Sequence, residues 1–145
     1  MRRCRVESVP RDSPGEAVVL YPGGGRQGDH RRPGCRGAAQ SCQQCQGEET
    51  GRVLSAIDPE YVGALSLMLI PGTPMHADYQ AGRFELIEPD EMLAELRTMI
   101  AHTDLSNGLF HANHASNYLP IRAALPRDKA RTLATIDEAL NGRIQ

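Results

Sequence analysis

From Glu48 onward the chain alternates between apolar positions at helical spacing and apolar runs too short to form helices. Val53, Leu54 and Ile57 share one helical face, and Asp58-Pro59 stops the helix they predict, because a proline pushes the preceding residue into extended backbone. Residues 61–70 then read Tyr-Val-Gly-Ala-Leu-Ser-Leu-Met-Leu-Ile. An almost continuous apolar run of this length predicts a strand buried on both faces, as in a parallel sheet or barrel. It ends abruptly at Pro71-Gly72. Thr73-Pro74 predicts a short helix with Thr as N-cap and Pro at its first position, closed by Gly82. Residues 84–87 read as an extended connector. Pro89 opens the clearest helix of the chain. Met92, Leu93, Leu96, Met99 and Ile100 line one face of it, and acids crowd its first turn. Asn107-Gly108 breaks the pattern. Residues 109–112 predict a short strand, residues 113–118 a polar loop, and Pro126 the approach to a last helix that buries Leu133, Ile136 and Leu140 before Asn141-Gly142.

The resulting order is helix, strand, helix, helix, strand, helix, which predicts an α/β layer or barrel. Two strands are too few to make a sheet, so residues 48–145 read as the end of a larger parallel sheet. Residues 1–47 follow other rules. The first 50 residues hold all four Cys, 8 of the 14 Gly and 8 of the 15 Arg, with one short apolar run at 17–21. Gly, Pro, Arg and Gln dominate 22–47, and so little apolar surface cannot offset the entropy of ordering, so this segment is expected to be poorly structured.

Charge changes the picture little. The formal net charge is −2, which neither demands nor excludes a nucleic-acid partner. No apolar run reaches the ~18–20 residues needed to cross a bilayer. The basic start, Met1-Arg2-Arg3-Cys4-Arg5, has no apolar segment behind it and is not a secretory signal. A cytoplasmic location is the expectation, with the Cys as reduced thiols or metal ligands.

Five groups of residues invite chemistry. Cys35, Cys42 and Cys45 include a Cys-x-x-Cys half-site, but no second paired half-site accompanies them, and incidental thiols are the plainer reading. Gly23-x-Gly25-x-x-Gly28 matches the dinucleotide fingerprint in letters, yet the helix that must begin at its third Gly is ruled out by Asp29-His30-Arg31-Arg32-Pro33-Gly34. Arg26, Arg31, Arg32 and Arg36 have no aromatic stacking platform beside them, so nucleic-acid binding is not indicated. The loop His111-x-Asn113-His114-x-Ser116-Asn117-Tyr118 follows a predicted strand, where barrel enzymes place their sites. Its histidines suit a metal or an oxyanion, while Asn113, Ser116 and Asn117 equally suit a hydrogen-bonded turn. Pro71, Gly72 and Thr73 form the other strand-end loop, fit either for an anion at the following helix or for a rigid capped turn.

Ser66-Leu67-Met68-Leu69-Ile70-Pro71-Gly72-Thr73-Pro74-Met75, Glu91 to Ile100, and Phe110-His111-Ala112-Asn113-His114-Ala115-Ser116-Asn117-Tyr118-Leu119-Pro120 followed by Leu125-Pro126-Arg127-Asp128-Lys129 resemble the C-terminal region of the radical SAM superfamily. The resembling proteins are the Fe–S oxidoreductase or coproporphyrinogen-oxidase-like group. The resemblance covers 48–144. It implies the C-terminal portion of a partial (β/α)6 TIM-type barrel, in which the full-length family holds a [4Fe–4S] cluster and S-adenosylmethionine for radical chemistry on a small-molecule or macromolecular substrate. It also implies that 111–118 lies near the substrate end. The C-x3-C-x2-C cluster motif is not in this sequence, so no cofactor is expected in this chain alone, and residues 1–47 have the bias of an out-of-frame segment. The expectation is an inactive fragment of such an enzyme. The rival expectation is a small non-catalytic α/β protein that self-associates or binds a partner through an exposed sheet edge.

Overall fold

The computed structural model describes residues 17–20, 26–27 and 39–142, with side chains from Cys45 onward. In chain order its elements are β1 (Ala17–Leu20), β2 (Arg26–Gln27), α1 (Ala39–Ile57), β3 (Tyr61–Ala64), α2 (Pro74–Gln80), β4 (Phe84–Glu85), α3 (Pro89–Ala101), β5 (Gly108–Ala112), β6 (Ile121–Leu125) and α4 (Lys129–Leu140). The main sheet runs β1-β3-β5-β6, and β2 pairs with β4 apart from it. Neighbours β1, β3 and β5 are parallel, while β6 lies antiparallel to β5. The molecule is mixed α/β.

Alternation decides which face of the sheet is covered. Val62 and Ala64 of β3, Phe110 and Ala112 of β5, and Ile121, Ala123 and Leu125 of β6 are buried. They meet Leu54 of α1, Leu96, Met99 and Ile100 of α3, and Ile136 of α4 in one core. Side chains along a strand point alternately to opposite faces, so all three helices cover the same face. Tyr61, Leu109 and Arg122 stand exposed on the other. Parallel strands side by side in chain order, with α1 and α3 on one face, are singly wound. A doubly wound sheet carries helices on both faces.

Helices α1 and α3 approach closely because two residues of α1 lack side chains. A Cβ at Gly47 would stand 2.9 Å from the Glu95 carbonyl oxygen, and one at Gly51 would stand 2.6 Å from that of Met99. Helix α3 begins as its sequence predicts, with Pro89 in the first turn beside Asp90 and Glu91. The Glu91 carboxylate accepts from the Glu88 N–H at 3.3 Å, closing the N-terminus.

The structure corrects the reading of 61–70. Strand β3 covers only 61–64, and it is buried on one face, not two. The Asn117 side chain ends the strand by standing in for a neighbouring peptide. Its Nδ2 donates to the Ala64 carbonyl at 2.8 Å and its Oδ1 accepts from the Ser66 N–H at 2.7 Å. The exposed sheet edge expected for self-association does not fall on this strand: β1 and β5 flank β3, and the outer strands of the described sheet are β1 and β6. Helix α1 crosses the division expected at Glu48, and Gly47 is buried. Residues 22–25 and 28–38 of the segment expected to be poorly structured lie outside the described residues, as does Cys35. No described helix is long and apolar enough to cross a membrane.

Candidate functional site

The register brings the chemistry to the open face. His111 of β5 lies opposite Gly63 of β3 on one side and opposite Arg122 of β6 on the other. Tyr61, two residues before Gly63, reaches the same histidine. Its hydroxyl lies 2.6 Å from His111 Nδ1, and the two rings meet edge to face with centroids 4.9 Å apart. With the phenol donating to Nδ1, a neutral His111 carries its proton on Nε2. Arg122 is held from the loop beyond β5. With its amide oxygen turned toward the guanidinium, Asn113 accepts from Nε at 3.1 Å and from the second terminal nitrogen at 2.9 Å. Tyr61–His111 and Asn113–Arg122 thus form two polar pairs side by side on the face of the sheet that α1, α3 and α4 leave uncovered.

The rest of the predicted loop turns inward on itself. His114 Nδ1 accepts from the Ser116 N–H at 3.2 Å and lies 3.0 Å from the Ser116 hydroxyl. The Asn117 N–H donates to the His114 carbonyl at 2.9 Å. His114 and Ser116 therefore shape a turn, and Asn117 ends β3. Each histidine has a different partner, Tyr61 for His111 and Ser116 for His114. Tyr118 is exposed beside a recess at the C-terminal ends of β3 and β5, bordered by Ser66, Asn117 and Leu119. At about 10 Å³ that recess has room for roughly one water.

Pro71, Gly72 and Thr73 form a turn and a cap. Gly72 has φ +85° and the Thr73 N–H donates to the Ile70 carbonyl at 3.2 Å, a type II turn with Pro in its second position. The Thr73 hydroxyl donates to that same carbonyl and accepts from the His76 N–H at 3.2 Å. Cys42 and Cys45 lie within α1. Among the described residues no three His, Cys, Asp or Glu side chains converge as a metal site.

Tyr61 and Arg122 escaped the sequence reading. The signal for Arg122 is present: Pro120 and Pro126 bracket Ile-Arg-Ala-Ala-Leu, a five-residue strand whose second position points away from the core. Comparison of the chain with protein-family models, with curated proteins and with solved structures finds no match.

Proposed function

We propose that this chain is the C-terminal wall of a radical SAM barrel, with the open face of its sheet turned toward the barrel interior. The observation that carries the reading is the singly wound sheet: parallel β1, β3 and β5 in chain order, with α1, α3 and α4 on one face and Tyr61, Leu109 and Arg122 exposed on the other. In a βα barrel the helices form the outer ring and the uncovered strand face lines the interior. A partial (β/α)6 barrel needs further strands beyond those described, and these would bring the cluster and S-adenosylmethionine. The chain's own contribution is to line the substrate space with Tyr61, His111, Asn113 and Arg122, to close β3 with Asn117, and to keep water from the helix-side core. Of the strings that resemble the superfamily, Ser66–Met75 begins just beyond β3 and Phe110–Pro120 takes in the end of β5 with His111 and Asn113.

The coding DNA upstream tests the reading. Translated in all three frames, it should encode a C-x3-C-x2-C motif followed by alternating strands and helices. Upstream DNA with no such motif in any frame counts against it. A second reading, a non-catalytic protein that pairs through a sheet edge, draws support from β6, which has a strand on one side only among the described residues.

A further inference from the structure

The open face has a division of its own. One row across the strands is apolar, with Tyr61 opposite Leu109 and Leu109 opposite Ala124. Leu109 is 46% exposed and Tyr61 37%. The next row is Gly63, His111 and Arg122, and directly opposed cross-strand side chains lie about 4.5–5.5 Å apart at Cβ. Arg122 differs from the other cations described. Arg52, Arg83, Arg97, Arg127, Lys129 and Arg131 each sit within ion-pair distance of a carboxylate. Arg122 alone among the described Arg and Lys side chains has none, and a neutral amide, Asn113, takes one edge of its guanidinium. Asn113 orients the fork without neutralising it. The Nε2 side of His111 offers a second donor in the same row, since Tyr61 occupies Nδ1.

A fixed, uncompensated guanidinium beside an imidazole donor is suited to a planar anion, because the free guanidinium edge and a carboxylate match in geometry. The adjoining row of Leu109 and Tyr61 offers apolar surface but no charge. We propose that the open face binds a small molecule with an apolar body and a carboxylate, the carboxylate on Arg122 and His111 Nε2 and the body over Leu109 and Tyr61. This deepens the reading of that face as a substrate wall and rests on it.

The test is a titration of the full-length, isotopically labelled chain with benzoate, followed through the NMR signals of Arg122 Nε and the His111 ring. Benzamide, an uncharged isostere, and inorganic phosphate, an anion with no apolar body, are titrated in parallel. Benzoate should shift both residues saturably, and each control should bind about tenfold more weakly or worse. Arg122→Gln should abolish the benzoate response, and Arg122→Lys should retain part of it. Arg122 is exposed, so the rest of the spectrum should report an unchanged fold in both variants. Equal response to benzamide would make the face merely apolar, equal response to phosphate would make it a bare anion contact, and a response surviving Arg122→Gln would place the ligand elsewhere; each overturns the proposal. No cluster chemistry enters the titration, so its failure leaves the barrel reading standing, and an upstream region without the cysteine motif leaves the titration result standing.

Discussion

Asp128 fastens the end of β6 to the start of α4 with both its backbone and its side chain. Its N–H donates to the Ala124 carbonyl at 2.8 Å, and its carboxylate accepts the Ala124 N–H at 2.9 Å. Arg127 and Arg131 flank the same carboxylate. Hydrogen bonding from Arg127, then from the Ala124 amide, pulls the Asp128 carboxyl down to about 2. An unfolded aspartate titrates near ~3.9. The folded state therefore gains from the ionised form above that value and loses the gain as pH falls toward 2. Asp128→Asn should unfold at lower urea than the parent at pH 7, and the gap between the two should narrow as pH drops from about 4 to about 2. Urea midpoints measured across that range check this, and a gap constant with pH would contradict it. Asp58 works in the same manner at the end of α1. Its carboxylate is lowered by the Ser106 hydroxyl and then by the Ser106 amide, and it holds the approach to β5 from a left-handed backbone with φ +50°. At this scale the sequence is legible by residue type but not by partner. Asn117, His114 and Ser116 announce a polar loop, yet nothing in their order says that Asn117 would reach back over 51 residues to Ser66 and close β3. Tyr61 and His111 are 50 residues apart, and only the β3–β5 register makes them neighbours.

Helices α1 and α3 pack through glycine, and the geometry sets the sign of a substitution there. Replacing Gly by Ala within a helix normally favours the helix by about 1 kcal/mol. At Gly51 the added methyl would meet the Met99 carbonyl oxygen at 2.6 Å and His102 at 2.9 Å, mostly backbone that cannot step aside. Gly51→Ala should therefore destabilise the protein, by about 1–3 kcal/mol as overpacked cores do. Chemical denaturation checks it, and a more stable variant would show that the two helices are free to move apart. The helices are the most legible elements, because α3 carries its period, its proline and its first-turn acids in one stretch. Helix α1 was legible only from Val53 on. Its first half, Ala-Gln-Ser-Cys-Gln-Gln-Cys-Gln-Gly, has little apolar periodicity, and the four-residue spacing of Gly47 and Gly51 was its one readable sign of close packing. The strands were harder. In 61–70 the apolar letters continue for six residues past the point where the Asn117 amide ends the ladder, so composition overstated both the length of β3 and its burial. Strand β6 has two Ala among its five residues and gave too weak an alternation to stand out.

Across the whole molecule, the α/β class follows from alternating helical and extended stretches, and the two-layer arrangement follows from strands that bury every second residue. The charge balance at this scale is close to even, at −2 overall, and every described cation except Arg122 is matched locally to an acid. Arg97 and Asp137 typify that matching, joining α3 to α4 by two hydrogen bonds that raise the arginine and lower the aspartate. One side of the sheet is thus sealed by helices and internal pairing, and the other presents Tyr61, Leu109, His111 and Arg122. The proposed barrel interior would give that second side a purpose. The most direct measurement joins this chain in frame to the cluster-bearing half that the upstream DNA should encode, reconstitutes the protein anaerobically with iron and sulfide, and quantifies 5′-deoxyadenosine released from S-adenosylmethionine. The joined protein should release it and this chain alone should not; a joined protein with a full cluster that releases none, or release by this chain alone, would contradict the account.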